Sequence, residues 1–414
     1  MNPMGYIKQA GIKSGAAYFL SKSWAKTGGS ISAKRRFPVM LALFLVVLTT
    51  SCNQTNGAQN DQAGTNAIQT AAVSNVEPRR DARRDIIDAH DGCLQFFNGR
   101  FYLYGTAYGL NQSYELTNHA YRVYSSPDLG RWTFEGELLH GQPNGVYFRP
   151  YVVFNPTTRK YLLWYNWYPE KWDGQTGAAV SDTPVGPFTI VNPNVRLAHA
   201  HPGDGSLFVD DDGTGYYIYT AIGEGYTVRV ERLTPDYLAA TGETSSILAA
   251  GGESPVLFRR NNVYYALCGP RCDACPQGSE TQFFTAPSPL GPFVTKPQWN
   301  INRHLEDDVP NSASQGTNGL SVTTPEGKYT VHPQHNTPVI NTTNAPNIPG
   351  QETWVAKIPT PEGPVFIWMA DRWQSSPDGY KGHDFQFWEP LEFGPNGDIL
   401  PLKGITNWHI SLPR

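Results

Sequence analysis

Three segments of this 414-residue chain share one local grammar: Ser125-Ser126-Pro127-Asp128-Leu129-Gly130-Arg131-Trp132, Ser181-Asp182-Thr183-Pro184-Val185-Gly186-Pro187-Phe188 and Ala286-Pro287-Ser288-Pro289-Leu290-Gly291-Pro292-Phe293. A looser copy stands at Leu233-Thr234-Pro235-Asp236. The marker prolines 127, 184, 235 and 289 are therefore 57, 51 and 54 residues apart. A unit that recurs at such a period is one supersecondary element that buries its apolar face only by stacking on its neighbours. Between the markers lie aromatic strands, Phe101-Tyr102-Leu103-Tyr104, Tyr161-Leu162-Leu163-Trp164-Tyr165, Tyr216-Tyr217-Ile218-Tyr219 and Tyr264-Tyr265-Ala266-Leu267, each following a turn such as Asn98-Gly99 or Asp211-Asp212-Gly213. Four strands in about 50 residues is the period of a β-propeller blade. A further hairpin, residues 353–358 with 366–369 across Pro361-Glu362-Gly363, supplies a fifth blade. Residues 300–350 fit the repeat poorly and are expected to form an excursion carrying a hairpin at 320–331. No helical periodicity exceeds two turns, which excludes α/β folds. The expectation is an all-β, five-bladed β-propeller over residues 85–414.

Charge is divided along the chain. Residues 1–52 hold seven Lys/Arg and no acid, so the remainder has 25 basic against 36 acidic residues, a net −11. A body that acidic repels phosphate backbones, which argues against a nucleic-acid partner and for a neutral ligand. The apolar run from Phe37 to Leu48 follows Lys34-Arg35-Arg36. Twelve residues are too few for a spanning helix, which takes about 20, but suit an export signal. The run ends in Leu48-Thr49-Thr50-Ser51-Cys52, which resembles a bacterial lipoprotein cleavage box with Cys52 as the lipidated residue. Residues 53–84 are expected to be a disordered tether, because 53–75 contain little apolar bulk. The expected location is the periplasm or cell surface, with the membrane reached by the lipid anchor alone.

A propeller sets the first strand of each blade along its axis, so residues at those strand starts converge at one mouth. They are Asp91, Arg149, Asp204, Glu253 and Gln351. Carboxylates gathered in one cavity are not a packing solution, since unpaired buried charge is costly. They form a candidate active site.

At these residues the sequence resembles glycoside hydrolase family 43, over about residues 85–400. Asp91 precedes the Gly99 turn and its aromatic strand as the family's base does. Asp204 precedes Ser206-Leu207-Phe208-Val209-Asp210-Asp211-Asp212-Gly213, like the motif of the carboxylate that tunes the acid, and Glu253-Ser254-Pro255 resembles that of the general acid. The nearest likeness is to the exo-β-1,3-galactanase-like branch, through Ala89-His90, Arg149-Pro150, Gln351, Met369-Ala370-Asp371-Arg372-Trp373 and Trp388-Glu389-Pro390-Leu391-Glu392-Phe393. That branch has Gly at the place of Asp91 and relies on a Gln at the place of Gln351. The resemblance implies an exo-acting, inverting hydrolase that removes terminal galactosyl, arabinosyl or xylosyl units from a neutral plant or algal polysaccharide. Glu253 would protonate the leaving oxygen, Asp91 would activate water, and Asp204 would keep Glu253 protonated. The alternative is a catalytically inactive glycan-binding lipoprotein.

His90, Arg149, Trp167, Gln351 and Arg372 are the candidate substrate-binding residues, Trp167 as a platform for a sugar face. No cofactor is expected; a structural calcium ion is conceivable without being indicated. The catalytic body is expected to be a monomer. Cys93, Cys268, Cys272 and Cys275 are compatible with disulfides, free thiols or a zinc site, and Cys93 could meet Cys272 near the mouth.

Overall fold

The computed structural model describes residues 69–412, apart from 114–118, 171–172, 271–279, 297–298, 303–319, 325–326 and 332–347. Cys52, Cys272 and Cys275 lie outside that set, so the lipid-anchor and cysteine-pairing expectations for them do too. Five antiparallel sheets succeed one another along the chain. The first contains β2 (His90–Phe97), β3 (Arg100–Ala107), β4 (Ala120–Ser126) and β5 (Thr133–Glu137), after a short leading strand β1 (Gln69–Ser74). The second contains β6 (Val146–Asn155), β7 (Lys160–Tyr168), β8 (Gln175–Ser181) and β9 (Thr189–Asn192). The third contains β10 (Pro202–Val209), β11 (Gly215–Ala221), β12 (Thr227–Leu233) and β13 (Ala240–Thr244). Blade four is β14 (Gly252–Arg260), β15 (Val263–Pro270) and β16 (Gln282–Ala286). A separate hairpin, β17 (Leu320–Thr324) with β18 (Gly327–Val331), falls where the irregular stretch was expected to carry one. Blade five is β19 (Gln351–Ile358), β20 (Val365–Arg372) and β21 (Phe385–Pro390), and the last strand is β22 (Asn407–Leu412).

Strand order within every blade is sequential, and the first strands meet in the closed cycle β2, β6, β10, β14, β19 and back to β2. The molecule is a five-bladed β-propeller. Blades four and five have three strands rather than four. In blade four the fourth is reduced, among the described residues, to isolated bridges of Thr285 with Val294 and Gln282 with Asn300, in a segment where Pro292 removes a ladder donor. The core lies between blades, where Trp132, Trp164, Trp368 and Trp388 are fully buried. Trp164 of blade two packs on Tyr217 of blade three, and Trp132 of blade one on Trp388 of blade five.

The tether expectation for residues 53–84 requires correction from residue 69 onward. β1 pairs along its whole length with β22, and its alternation places Ala71 and Val73 in the core. Asn75 then fastens the strap: its amide donates to the Trp388 and Ile405 carbonyls at 2.9 and 2.8 Å, and its oxygen accepts the Trp388 N–H at 2.9 Å. A short period-two pattern of small residues does not look hydrophobic in composition, yet it folds when the partner strand supplies Trp408, Ile410 and Leu412.

Candidate active site

Each first strand is interrupted at the same place by a β-bulge. In the first four blades two residues of the first strand, Asp91-Gly92, Arg149-Pro150, Gly203-Asp204 and Ser254-Pro255, stand opposite one residue of the second, and β19 is displaced between Glu352 and Trp354. A bulge bends its strand and re-aims side chains. Repeated five times around an axis, it turns one side chain per blade toward a common point. Asp91, Arg149 and Ser254 sit in the left-handed region there, with φ of 50°, 56° and 56°. Such backbone costs on the order of 1–3 kcal/mol per residue and persists only where the surroundings hold it. Gly92 is dictated by close approach, since a Cβ there would lie 2.0 Å from the Tyr104 carbonyl oxygen.

Asp91 is 3% exposed. Thr106 donates its hydroxyl to Oδ1 at 2.6 Å, the Arg149 backbone N–H donates to the same oxygen at 3.0 Å, and the Tyr108 hydroxyl donates to Oδ2 at 2.5 Å. A carboxylate offers about four acceptor positions, so one remains for a water. Burial pushes its pKa up to about 6, against the opposing Arg149 charge and the two hydroxyl donors.

The Arg149 guanidinium is the hub of the constellation. It donates to Asp204 Oδ2 at 3.0 Å, to Ser254 Oγ at 2.5 Å and to the Glu352 carbonyl at 3.1 Å. Ser254 in turn donates its N–H and its hydroxyl to Asp204 Oδ2 at 3.2 and 3.1 Å. Burial works against the Arg149 charge, but Asp204 outweighs it and keeps the guanidinium cationic. Glu253 precedes Ser254 and is half-buried. Burial, together with the charges of Asp204 and Glu253, holds the Tyr168 hydroxyl well above its ordinary range, and its ring packs on Phe148. Asp91, Arg149 and Asp204, picked from sequence, are thus linked through named contacts, and Glu253 adjoins them as the residue before Ser254. Gln351 joins them at the start of β19, where its Oε1 accepts the Trp373 indole N–H at 2.8 Å.

Two other expectations, for His90 and Trp167, fail. His90 is fully buried behind the site, and both ring nitrogens are turned to protein acceptors, Asp371 at 3.0 Å and the Gly382 carbonyl at 3.3 Å, which leaves no edge for a sugar. Trp167 stacks on Tyr147 in the body of blade two and donates to the Pro193 carbonyl. Strand alternation turns the next residue, Tyr168, to the other face, where it packs on Phe148. Arg372 follows Asp371 on β20; among the described residues no hydrogen bond or ion pair engages its side chain, its Nε is buried without a hydrogen-bond partner, and burial lowers its pKa.

Several contributors escaped sequence reasoning. Thr106 and Tyr108 lie at the end of the second strand of blade one and become visible only through its register with the bulge. Glu352 is the last paired residue before the irregularity of β19, opposite Ala370, as Glu253 is before the blade-four bulge and His90 before that of blade one. It is almost wholly buried, accepts the Thr281 hydroxyl at 2.5 Å, and has its pKa pushed well up by burial. Cys93 is a buried thiol whose pKa burial pushes up to about 12. Among the described residues no group of three or more His, Cys, Asp or Glu side chains is arranged to hold a metal ion.

Comparison with known proteins places this geometry. The model of glycosyl hydrolases family 43 matches residues 121–363. An arabinoxylan arabinofuranohydrolase of Bacillus subtilis (strain 168) is 25% identical over 308 residues, covering 61% of this chain and 56% of that protein. One from Paenibacillus polymyxa is 28% identical over 149 residues, covering 29% and 22%. The chain therefore spans about half or less of the curated relatives it matches. Among solved structures, a family-43 β-1,3-galactosidase superposes with a TM-score of 0.62 at 21% identity, over 82% of this chain and 64% of that one. An exo-β-1,3-galactanase from Phanerochaete chrysosporium, solved with β-1,3-galactotriose, gives 0.62 at 20% identity, over 83% and 69%. At such identities the likeness is one of fold.

Proposed function

The chain belongs to glycosyl hydrolases family 43, and from that membership we propose that it is an exo-acting, inverting glycoside hydrolase releasing terminal galactosyl, arabinosyl or xylosyl units from a neutral plant or algal polysaccharide. The observation that carries the reading is the arrangement around Arg149. One cation touches Asp204, the N–H of the same residue touches Asp91, and Ser254 ties Glu253's strand to Asp204. An oxocarbenium-like transition state needs a carboxylic acid at the leaving oxygen and a carboxylate that activates water opposite. Glu253 takes the first role. Asp204, which accepts from Arg149 and from Ser254 beside Glu253, takes the role of the negative neighbour that tunes this acid. Asp91 takes the second, because it has an acceptor position left over and, above pH about 6, a charge to receive the proton. Gln351 has its oxygen committed to Trp373 and acts in holding water or sugar.

Galactosyl is supported by the fold likeness to β-1,3-galactan enzymes, and arabinosyl by the curated relatives. The apolar run ending at Cys52, with a polar stretch behind it, supports attachment to a membrane through lipid. The test is monosaccharide release from arabinogalactan, arabinan and xylan, with the anomer of the first product followed by NMR. A single released sugar of inverted configuration is expected. A protein that binds these glycans yet releases nothing from any of them is a binding lipoprotein, and the hydrolase reading is then wrong.

A further inference from the structure

His90 and Asp371 have no role in the chemistry above, although they lie immediately behind it. We propose that this buried pair is a positioning device for the water-activating carboxylate: it pins the Asp91 backbone in the conformation that aims its side chain into the axial channel. The inference rests on the hydrolase reading, in which Asp91 receives the proton.

The Asp91 N–H donates to Asp371 Oδ2 at 2.5 Å, while Asp371 Oδ1 faces His90 Nδ1 at 3.0 Å. One carboxylate thus joins the residue before the bulge to the bulge residue itself. A peptide in the left-handed region carries its N–H in a direction that no neighbouring strand residue meets, so without Asp371 that buried donor would be left unpaired. His90 Nε2 faces the Gly382 carbonyl at 3.3 Å and Asp88 Oδ1 at 3.8 Å. With acceptors at both nitrogens, only the imidazolium can donate to both.

Blades one and five and the 381–383 turn enclose the pair. The titratable groups around it are Asp88, Asp91, the Tyr108 phenol and Asp371, with the Arg79 guanidinium in the field of Asp371 and the Lys381 ammonium over the Tyr108 and Trp373 rings. Burial opposes a charge on His90, but Asp371 first and Asp88 after it overcome that and hold it up to about 9. The imidazole also lies against the rings of Tyr108 and Trp373, at centroid distances of 5.9 and 5.4 Å. Tyr108 donates to Asp91, and Trp373 donates to Gln351. The charged pair therefore backs both the base and the residue expected to hold water or sugar.

The experiment compares Asp371→Ala, which removes the acceptor, with Asp371→Asn, which keeps an oxygen for the Asp91 N–H and removes the charge facing His90. On a substrate that wild type turns over, Asp371→Ala is expected to lower kcat about 10²-fold with KM changed less than about 3-fold, the scale of an ångström-level misplacement. Asp371→Asn should keep kcat within about 10-fold. In wild type at pH 7.5, 15N NMR should show both His90 ring nitrogens protonated, and in Asp371→Asn the ring should be neutral. If Asp371→Ala does not fold, the Asn variant and the wild-type spectrum decide. Wild-type kcat in a folded Asp371→Ala, a loss in Asp371→Asn as large as in Asp371→Ala, or a neutral His90 in wild type overturns the proposal alone. A wild-type protein inactive on every glycan overturns the hydrolase reading and this inference with it.

Discussion

Asp91→Asn should make this protein more stable and almost inactive. The wild-type carboxyl is buried, and its pKa rises from 3.8 to about 6. At neutral pH the native state therefore carries a charge that the unfolded chain accommodates more easily. At 1.36 kcal/mol per pH unit the gap corresponds to about 3 kcal/mol of stability given up. Between pH 3.8 and 6 the native state keeps a proton that the unfolded state has lost, so this contribution falls as pH rises through that window. Below the window both states are protonated and the penalty is absent; above it the penalty is complete. Asparagine cannot ionise, and its oxygen can still accept from Thr106 and from the Arg149 N–H, while its amide turns to the Tyr108 oxygen. Urea unfolding at pH 7.5 should accordingly show Asp91→Asn more stable by about 3 kcal/mol, the gain shrinking to about 1 kcal/mol at pH 4.5. On the same preparations kcat should fall more than about 10³-fold, the upper range for loss of a general base. A variant no more stable than wild type, or a gain indifferent to pH, would show that the buried charge is compensated better than the contacts indicate. A kcat within tenfold of wild type would remove Asp91 from the water-activating role.

Wild-type kcat/KM should decline as pH falls through about 6, where Asp91 takes up its proton, and a pH profile on the released sugar checks this. Glu253→Gln should be most damaging on natural linkages and least on aryl glycosides with activated leaving groups; an equal loss across leaving groups would argue for another acid. Gln351→Ala should lower kcat by only about 10- to 10²-fold, a positioning loss, and a larger effect than that of Asp91→Asn would transfer water activation to the amide. Cys52→Ala should move the protein from the membrane to the soluble fraction, and full retention in the membrane would sink the lipid-anchor reading.

The five-bladed architecture was legible because a propeller repeats one local pattern. A Pro-Gly turn recurring at residues 127, 184 and 289, its looser copy at 235 and the further hairpin at 353–369 carry their own spacing and add up to five units. Asp91, Arg149, Asp204, Glu253 and Gln351 were legible for the same reason, since equivalent places in a cyclic repeat must meet at one axis. Contacts running across the repeat were invisible. Asp371 reaches Asp91 from 280 residues away, and β1 folds only because β22 arrives beside it. The direction of each side chain was equally hidden. His90 sits one residue from Asp91, which does face the site, and a step of one residue on a strand exchanges its two faces. The bulges set those faces. A bulge is a compromise between two strands and the blade next to them, so its position depends on Gly92 lying against Tyr104, on the Arg149 N–H meeting Asp91, and on Asp371 holding the Asp91 amide. Sequence by itself determined that charged groups would gather on the axis; tertiary packing decided which of them turn inward, because only the assembled ring supplies the acceptors and donors that hold strained backbone in place.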